Sequence, residues 1–307
     1  MSCKGLSLMS GGLDSQLAVR VLQRAGAEVE AVCFSTPFFD CSSARKAAAA
    51  LGVKLHVIDF TDDEVSLIEN PPHGFGGAMN PCIDCHALMI RRAGELMAKL
   101  GYDFVATGEV QGQRPMSQNR QSLGVVEKSS GMKGRLVRPM SAKLLEPTIP
   151  ELEGKLDRDK LLDISGRGRE RQIALAAEFG IVDYPSPAGG CRLTEEGFGR
   201  RLKDLMEHEG LHNRRLLDLL GVGRRFRLAD GSSVILGRDG GENARLRAEK
   251  EFFGDSSAVV EVASVPGPTA FVPIVKSAAD LTMAEGIVRA WSRGGTGREP
   301  FKPYQIF

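Results

Sequence analysis

Three short strings in this 307-residue chain carry side chains suited to chemistry. The first is Ser10-Gly11-Gly12-Leu13-Asp14-Ser15. Two glycines let a backbone turn sharply and bring its N–H groups against an anion, and the hydroxyls of Ser10 and Ser15 can donate further hydrogen bonds. Asp14 would repel bare phosphates, so it makes sense as a ligand of magnesium held beside them. A serine–glycine turn with an aspartate cap is the plainer reading of the same string. No G-x-x-x-x-G-K-[ST] sequence occurs, which removes the usual γ-phosphate-binding loop. The second string, Asn80-Pro81-Cys82-Ile83-Asp84-Cys85, and the third, Gly189-Gly190-Cys191, supply thiols. A C-x-x-C pair at a helix start points both sulfurs one way, and the helix dipole lowers their pKa, so the pair reads as metal-binding or redox-active. Cys3, Cys33 and Cys41 have no partner spacing and are expected to be buried or incidental, with no disulfide scaffold in a reducing compartment.

Positioning these strings requires an alternation of strands and helices, and the first half of the chain has one. Residues 5–9, 29–35, 54–60 and 103–107 are short apolar runs that read as strands. Between them, Leu13, Leu17, Val21 and Leu22 mark one face of a helix stopping at Gly26, residues 44–51 form a second helix, and residues 82–100 a third. Such alternation predicts a parallel, doubly wound sheet, whose ligands sit beyond the carboxyl ends of the strands. The character changes near residue 200. Residues 226–228 and 234–236 flank Asp230-Gly231 as a hairpin, a charged helix covers 242–251, and a β-rich stretch carries Pro266, Pro268 and Pro273. The Gly-, Arg- and Pro-rich tail from Ser292 is expected to be mobile. The expected division is residues 1–200 and a smaller α+β domain over 201–307.

With those placements, Ser10–Ser15 resembles the signature of the PP-loop ATP pyrophosphatases, which split ATP between the α- and β-phosphates. The resemblance implies a Rossmann-like α/β sheet of the adenine nucleotide alpha hydrolase kind. It also implies that Leu8, Met9, Phe34 and Ser35 cradle adenosine around the loop residues Ser10, Gly11, Gly12, Asp14 and Ser15. Residues 107–118, TGEVQGQRPMSQ, resemble a segment of the 4-thiouridine synthetase family, which puts Gly108 and Gln118 on ATP. NPCIDC resembles the N-P-C-x-x-C of 2-thiouridine synthetases, where the first cysteine handles sulfur, with Cys191 as its later partner. The tract GVGRRFRLADGSSVILGRDGGENARL is similar to a domain of NFACT-type RNA-binding proteins. Resemblance to thiolation enzymes using three cysteines implies that Cys82, Cys85 and Cys191 hold a four-iron four-sulfur cluster. A persulfide on Cys191 resolved by Cys82 is the metal-free alternative, and a zinc site completed by His86 a third.

Charge and composition bound the rest. The net charge of +1 does not advertise a polyanionic partner, but residues 110–145 hold seven basic side chains against Glu127 alone. Arg114, Arg138 and Lys143 from that stretch, with Arg224 and Arg225 from the second domain, are the candidates for RNA contact. The longest apolar runs are far too short for a membrane span, and MSCKGLSLMSGG lacks the pattern of a signal peptide, so a cytoplasmic protein is expected. The resulting expectation is an ATP-dependent tRNA sulfurtransferase. Its cofactors are ATP, magnesium and an iron–sulfur cluster; its partners are tRNA and a sulfur donor (free sulfide, a cysteine desulfurase or a carrier protein), in a monomer or homodimer. Sulfur or nitrogen transfer to a small molecule is the alternative.

Overall fold

The computed structural model describes residues 3–186, 190–263 and 266–306. The chain divides into two compact units, Met1–Thr194 and Glu195–Phe307. The boundary falls a few residues before the one expected at 200, because the helix Glu196–His208 packs with the second unit.

The first unit alternates as its sequence requires: β1 (Cys3–Leu8), α1 (Leu13–Arg24), β2 (Ala27–Ser35), α2 (Ser42–Leu51), β3 (Leu55–Asp59), α3 (Thr61–Glu69), α4 (Cys82–Leu100), β4 (Phe104–Ala106), α5 (Arg120–Ser130), β5 (Leu136–Val137), α6 (Ile149–Leu152) and α7 (Glu170–Glu178). The five strands pair in parallel in the order β3-β2-β1-β4-β5. Alternate residues of each strand enter different cores. Ala31 and Cys33 of β2 join α1 and α2 on one face, while Val32 and Phe34 join α4 on the other. Leu17 and Leu22 of α1 are fully buried, each worth about 1.5–3 kcal/mol over exposure. Both α2 and α4 stop at a glycine in the left-handed conformation, Gly52 and Gly101. Strand order reverses between β1 and β4, so a crevice opens at their carboxyl ends.

The second unit comprises α8 (Glu196–His208), α9 (Arg214–Asp218), β6 (Arg224–Arg227), β7 (Ser233–Leu236), α10 (Gly240–Phe253), β8 (Ala258–Val260), β9 (Ala270–Val272), α11 (Ala278–Trp291) and β10 (Gln305–Ile306). Its five strands are antiparallel, in the order β10-β6-β7-β9-β8. The expected hairpin is β6–β7. The tail, expected to be mobile, returns to the sheet: Gln305 pairs with Phe226 and Ile306 with Arg225, while Phe301 packs against Trp291. Apolar residues within a Gly- and Pro-rich composition account for that difference. Among the described residues no helix is long and apolar enough to cross a membrane.

Candidate active site

The chain leaves β1 at Leu8 and turns through Ser10–Gly12 into α1. Met9 N donates to Val32 O (2.8 Å), tying the loop's entry to β2. Gly11 has φ +83°, and a Cβ there would lie 2.4 Å from the backbone carbon of Ser43 at the start of α2, so no other residue fits. Helix α1 has Gly12 as its N-cap and no side chain capping it. Its first-turn N–H groups and positive dipole end are therefore available to an anion. Gly12 N donates to Ser10 Oγ (3.3 Å) and Ser15 Oγ to Gly12 O (2.8 Å), holding both hydroxyls at the turn. Asp14 accepts from Gln113 Nε2 at 2.9 Å on Oδ2, whereas its buried Oδ1 has no hydrogen-bond partner among the described residues. A buried, orphaned carboxylate oxygen beside a phosphate-type turn fits a cation ligand.

Gly108 closes the corner from the other side. A Cβ on it would sit 2.7 Å from Asp14 C and Ser15 N, so the β4 end can approach the first turn of α1 only as glycine. Of the other expected adenosine contacts, Leu8 and Ser35 are half-buried at the strand ends. Met9 and Phe34 are buried, and Phe34 packs edge-on against Phe60 (5.2 Å between centroids), so its ring belongs to the core. Gln118 is buried, with Oε1 unpartnered, and its carbonyl accepts from Gly112 N at 2.7 Å. The side chain that reaches Asp14 is Gln113. Sequence reasoning passed over it, and over Ser43 and Gln16, whose Nε2 donates to Gly11 O (2.9 Å) and Asp183 O (3.0 Å).

Cys82 and Cys85 open α4 as expected. Cys82 is half-buried and accepts from Asn80 Nδ2 at 3.1 Å, while Cys85 is buried. Asp84 between them is buried and holds His73 through N (2.9 Å) and Nδ1 (2.5 Å), which fastens the preceding loop to the helix start. Half-buried Cys191 follows a segment whose Gly189 lies outside the described residues, and Arg192 N donates to Phe38 O (3.0 Å) in the turn after β2. Burial pushes the Cys191 thiol up to about 12, with Glu64 and Cys82 adding to it. Burial also raises the Cys85 thiol, and Glu64, Cys191 and Cys82 oppose its ionisation further. The three thiols therefore lie within one another's electrostatic reach. Among the described residues no three His, Cys, Asp or Glu side chains are drawn together as a ready metal site. The donor set fits a cluster by kind, three soft sulfurs.

Glu64 of α3, also missed from sequence, is fully buried; no N–H or O–H group among the described residues donates to its oxygens, and its partner is the Cys85 thiol. Burial raises its carboxyl to about 7, against the pull of Cys85 and His86. On the β4 side, buried Glu109 accepts from Thr107 Oγ1 (2.9 Å) and Arg138 Nε (2.9 Å) and faces His86 Nδ1 (3.4 Å). Burial alone would raise Glu109, but Arg138 and His86 hold it at about 2. Through His86 and Glu109, the helix of the thiols is connected to Gly108 and thence to the phosphate loop.

Two expected RNA contacts need correction. Arg138 is buried, spent on Glu109, Glu127 (3.2 Å) and Leu123 O (3.0 Å). Arg225 is fully buried in β6, its guanidinium without a hydrogen bond among the described residues, and burial lowers its pKa to about 10. Successive strand residues face opposite ways, so Arg224 and Arg225 cannot serve one surface. Arg114 is exposed, and exposed Lys143 donates to Asp159 O (2.8 Å). Cys33 and Cys41, expected to be unpartnered, are joined as a disulfide, because the turn after β2 brings their Cα atoms to 6.0 Å. Cys3 is buried and free.

The family model described as "Thiamine biosynthesis protein (ThiI)" matches residues 1–143. A tRNA-specific 2-thiouridylase MnmA of Sulfurimonas denitrificans is 38% identical over 120 residues, 35% of this chain and 35% of that protein. A probable tRNA sulfurtransferase of Thermoanaerobacter sp. (strain X514) is 33% identical over 138 residues, 42% of this chain and 35% of that protein. MnmA of Marinobacter nauticus is 32% identical over 215 residues, 64% of this chain and 52% of its own. The chain thus spans about a third of the length of the first two relatives. Among solved structures, a 4-thiouridine synthetase–RNA complex with bound ATP is similar at a TM-score of 0.38 and 19% identity, covering 58% of this chain and 52% of that one. An NH3-dependent NAD synthetase from Campylobacter jejuni has a TM-score of 0.35 and 15% identity, covering 72% and 83%. The family match and the sequence relatives support the PP-loop superfamily for the first unit.

Proposed function

We propose that this chain is an ATP-dependent tRNA sulfurtransferase that adenylates a uridine carbonyl oxygen and replaces it with sulfur. The observation that carries the reading is the connected corner itself. An uncapped helix start and the orphaned Asp14 Oδ1 lie against Gly108, and Glu109 and His86 lead from there to the three thiols. The names of the sequence relatives point the same way.

In this reading the α1 N–H groups, with Ser10 and Ser15 turned from their present partners, hold the pyrophosphate that leaves ATP. Asp14 would hold magnesium, which neutralises charge building on the leaving phosphates. Gln113 fixes the Asp14 carboxylate so that Oδ1 stays presented. The oxygen of uracil is a poor leaving group; as an ester of AMP it departs when sulfur attacks the ring carbon. Cys82, Cys85 and Cys191 would hold an iron–sulfur cluster, whose open iron supplies a site for hydrosulfide. The second reading, a persulfide on Cys191 resolved by Cys82, draws support from burial: those two thiols are half-exposed, whereas Cys85 is not. The second unit, proposed to be NFACT-like, binds RNA, and Arg114, Lys143 and Arg224 are the remaining candidates for its backbone.

Two substitutions test this. Asp14→Ala should lower AMP and pyrophosphate release by about a hundredfold or more, the scale of a key electrostatic group; near-normal turnover sinks the assignment. Cys85→Ser should abolish both bound iron and thiolation in protein purified without oxygen. An active, iron-free Cys85→Ser enzyme replaces the cluster with the persulfide route and leaves adenylation standing.

A further inference from the structure

The second unit carries a pocket of its own. It is open, about 390 Å³, and its lining includes Arg224, Arg238, Arg293, Arg298 and Trp291, with Asp239 the one acid on its wall among the described residues. That volume lies in the ~300–1,000 Å³ range of small-ligand sites, room for about one nucleotide. The arginines come from four places: the start of β6, the end of β7, the end of α11 and the returning tail.

Their partners divide them. Arg238 pairs with Glu242 (Nε to Oε1, 3.0 Å), and Asp239 is engaged as the N-cap of α10, accepting from Glu242 N at 2.9 Å. Arg298 donates to Ala290 O (3.1 Å), and its guanidinium lies 5.4 Å from the centre of the Trp291 ring. Among the described residues the Arg224 and Arg293 side chains have no hydrogen bond or ion pair, although both line the same cavity. Arg224 is half-buried and Arg293 exposed, and two like charges lining one cavity favour an anion within it. The planar fork of arginine matches a phosphate two bonds at a time. A Cβ on Gly240 would meet nothing within 4 Å, so backbone, too, borders the open space.

Trp291 supplies the aromatic element. It is half-buried, with Phe226 (5.3 Å, 73°) and Phe301 (6.4 Å, 60°) packed edge-on against it. A rigid indole with an arginine beside it is a platform on which a base of any identity can stack. Apart from this ring the walls are arginine, glycine, proline and polar side chains, so an acidic peptide would find charge but no seat for apolar anchors.

We propose that this pocket receives one nucleotide of a single-stranded RNA segment, its phosphate between Arg224 and Arg293 and its base against the Arg298–Trp291 pair. The inference rests on the reading of tRNA as substrate and assigns it a contact point.

Trp291 is the single tryptophan of the chain, so its fluorescence reports the pocket directly. The full chain is titrated with a single-stranded oligoribonucleotide, with the same sequence as a duplex, and with polyglutamate. Saturable quenching by the single strand is expected, with Arg224→Ala/Arg293→Ala raising its Kd at least about tenfold. The slope of log K against log salt should shrink by about 0.7, the change for one phosphate contact on a single strand. Arg224→Lys/Arg293→Lys, which keeps charge but loses the fork, should fall between the two. Circular dichroism of each variant shows that the fold is retained. Unchanged affinity and slope in the alanine variant, equal binding of duplex, or equal quenching by polyglutamate each overturns the proposal. Thiolation is assayed separately on the wild type. Its absence alongside arginine-dependent strand binding removes the sulfurtransferase reading and leaves the pocket in place.

Discussion

Two carboxylates are buried beside the cysteine-bearing helix α4, and the fold treats them in opposite ways. Glu109 is saturated: Thr107, Arg138 and His86 surround it, and it stays ionised far into acid. Glu64 has the Cys85 thiol as its one hydrogen-bond partner among the described residues, and burial lifts its carboxyl to about 7. A buried, fully paired charge is structural in the sense that removing one partner strands the other. A buried polar group without a partner lowers stability, and such groups collect where function requires them. Glu109 therefore holds the corner together, while Glu64 lies against a thiol with little else to hold its charge.

Breaking the saturated side should have the larger effect. Glu109→Ala leaves the Arg138 guanidinium buried with Glu127 as its remaining acid and should cost about 3 kcal/mol or more of stability, read as a lower urea midpoint. The sign of the pH dependence follows from the same group. Its folded-state pKa, about 2, lies below the ordinary 4.5, so its contribution is present above about 4.5 and is lost as the pH falls towards 2. The loss is on the order of 3 kcal/mol, and Glu109→Gln should flatten that acid limb. An unchanged limb in Glu109→Gln would mean that the pair is not what holds the corner.

The weakly paired side sharpens the contrast. Glu64→Met replaces a carboxyl held only by the Cys85 thiol with an apolar side chain of similar length and should stabilise the fold by about 1 kcal/mol, the low end of the penalty of a poorly satisfied buried group. Thiolation should fall in that variant while ATP binding is retained. A stabler Glu64→Met protein with full thiolation would reduce Glu64 to an accident of packing.

These two groups also show where the sequence speaks and where it is silent. The parallel sheet was legible because apolar runs and helix-period segments alternate, and α4 could be placed at 82–100 because a C-x-x-C opens it and Gly101 ends it. Gly11 and Asp14 stood out in a string whose residue types suit a phosphate turn and Gly108 through the resemblance of its segment, and the structure brings the three to one corner. Glu64 was not, because an acid in the helix string TDDEVSLIE looks like any solvated charge until tertiary packing buries it. The same blindness ran the other way for Arg138 and Arg225: charge is visible in a sequence, but whether it is buried is set by packing. Strand β5, two residues long, fell below what periodicity can detect, and α11 lies in a stretch read as β-rich. The Cys33–Cys41 contact depends on the shape of one turn, which spacing alone does not specify.

On the proposed function, ATP cleavage and sulfur insertion are one reaction at one corner of the first unit. This is tested by incubating the chain with tRNA, labelled ATP and a sulfide source, then counting nucleotide products against thiouridine formed. One AMP and one pyrophosphate for each sulfur incorporated, with AMP formation dependent on tRNA, is the expected result. ADP and phosphate as products, or AMP formed with a small acid in place of tRNA and no sulfur in RNA, would contradict it.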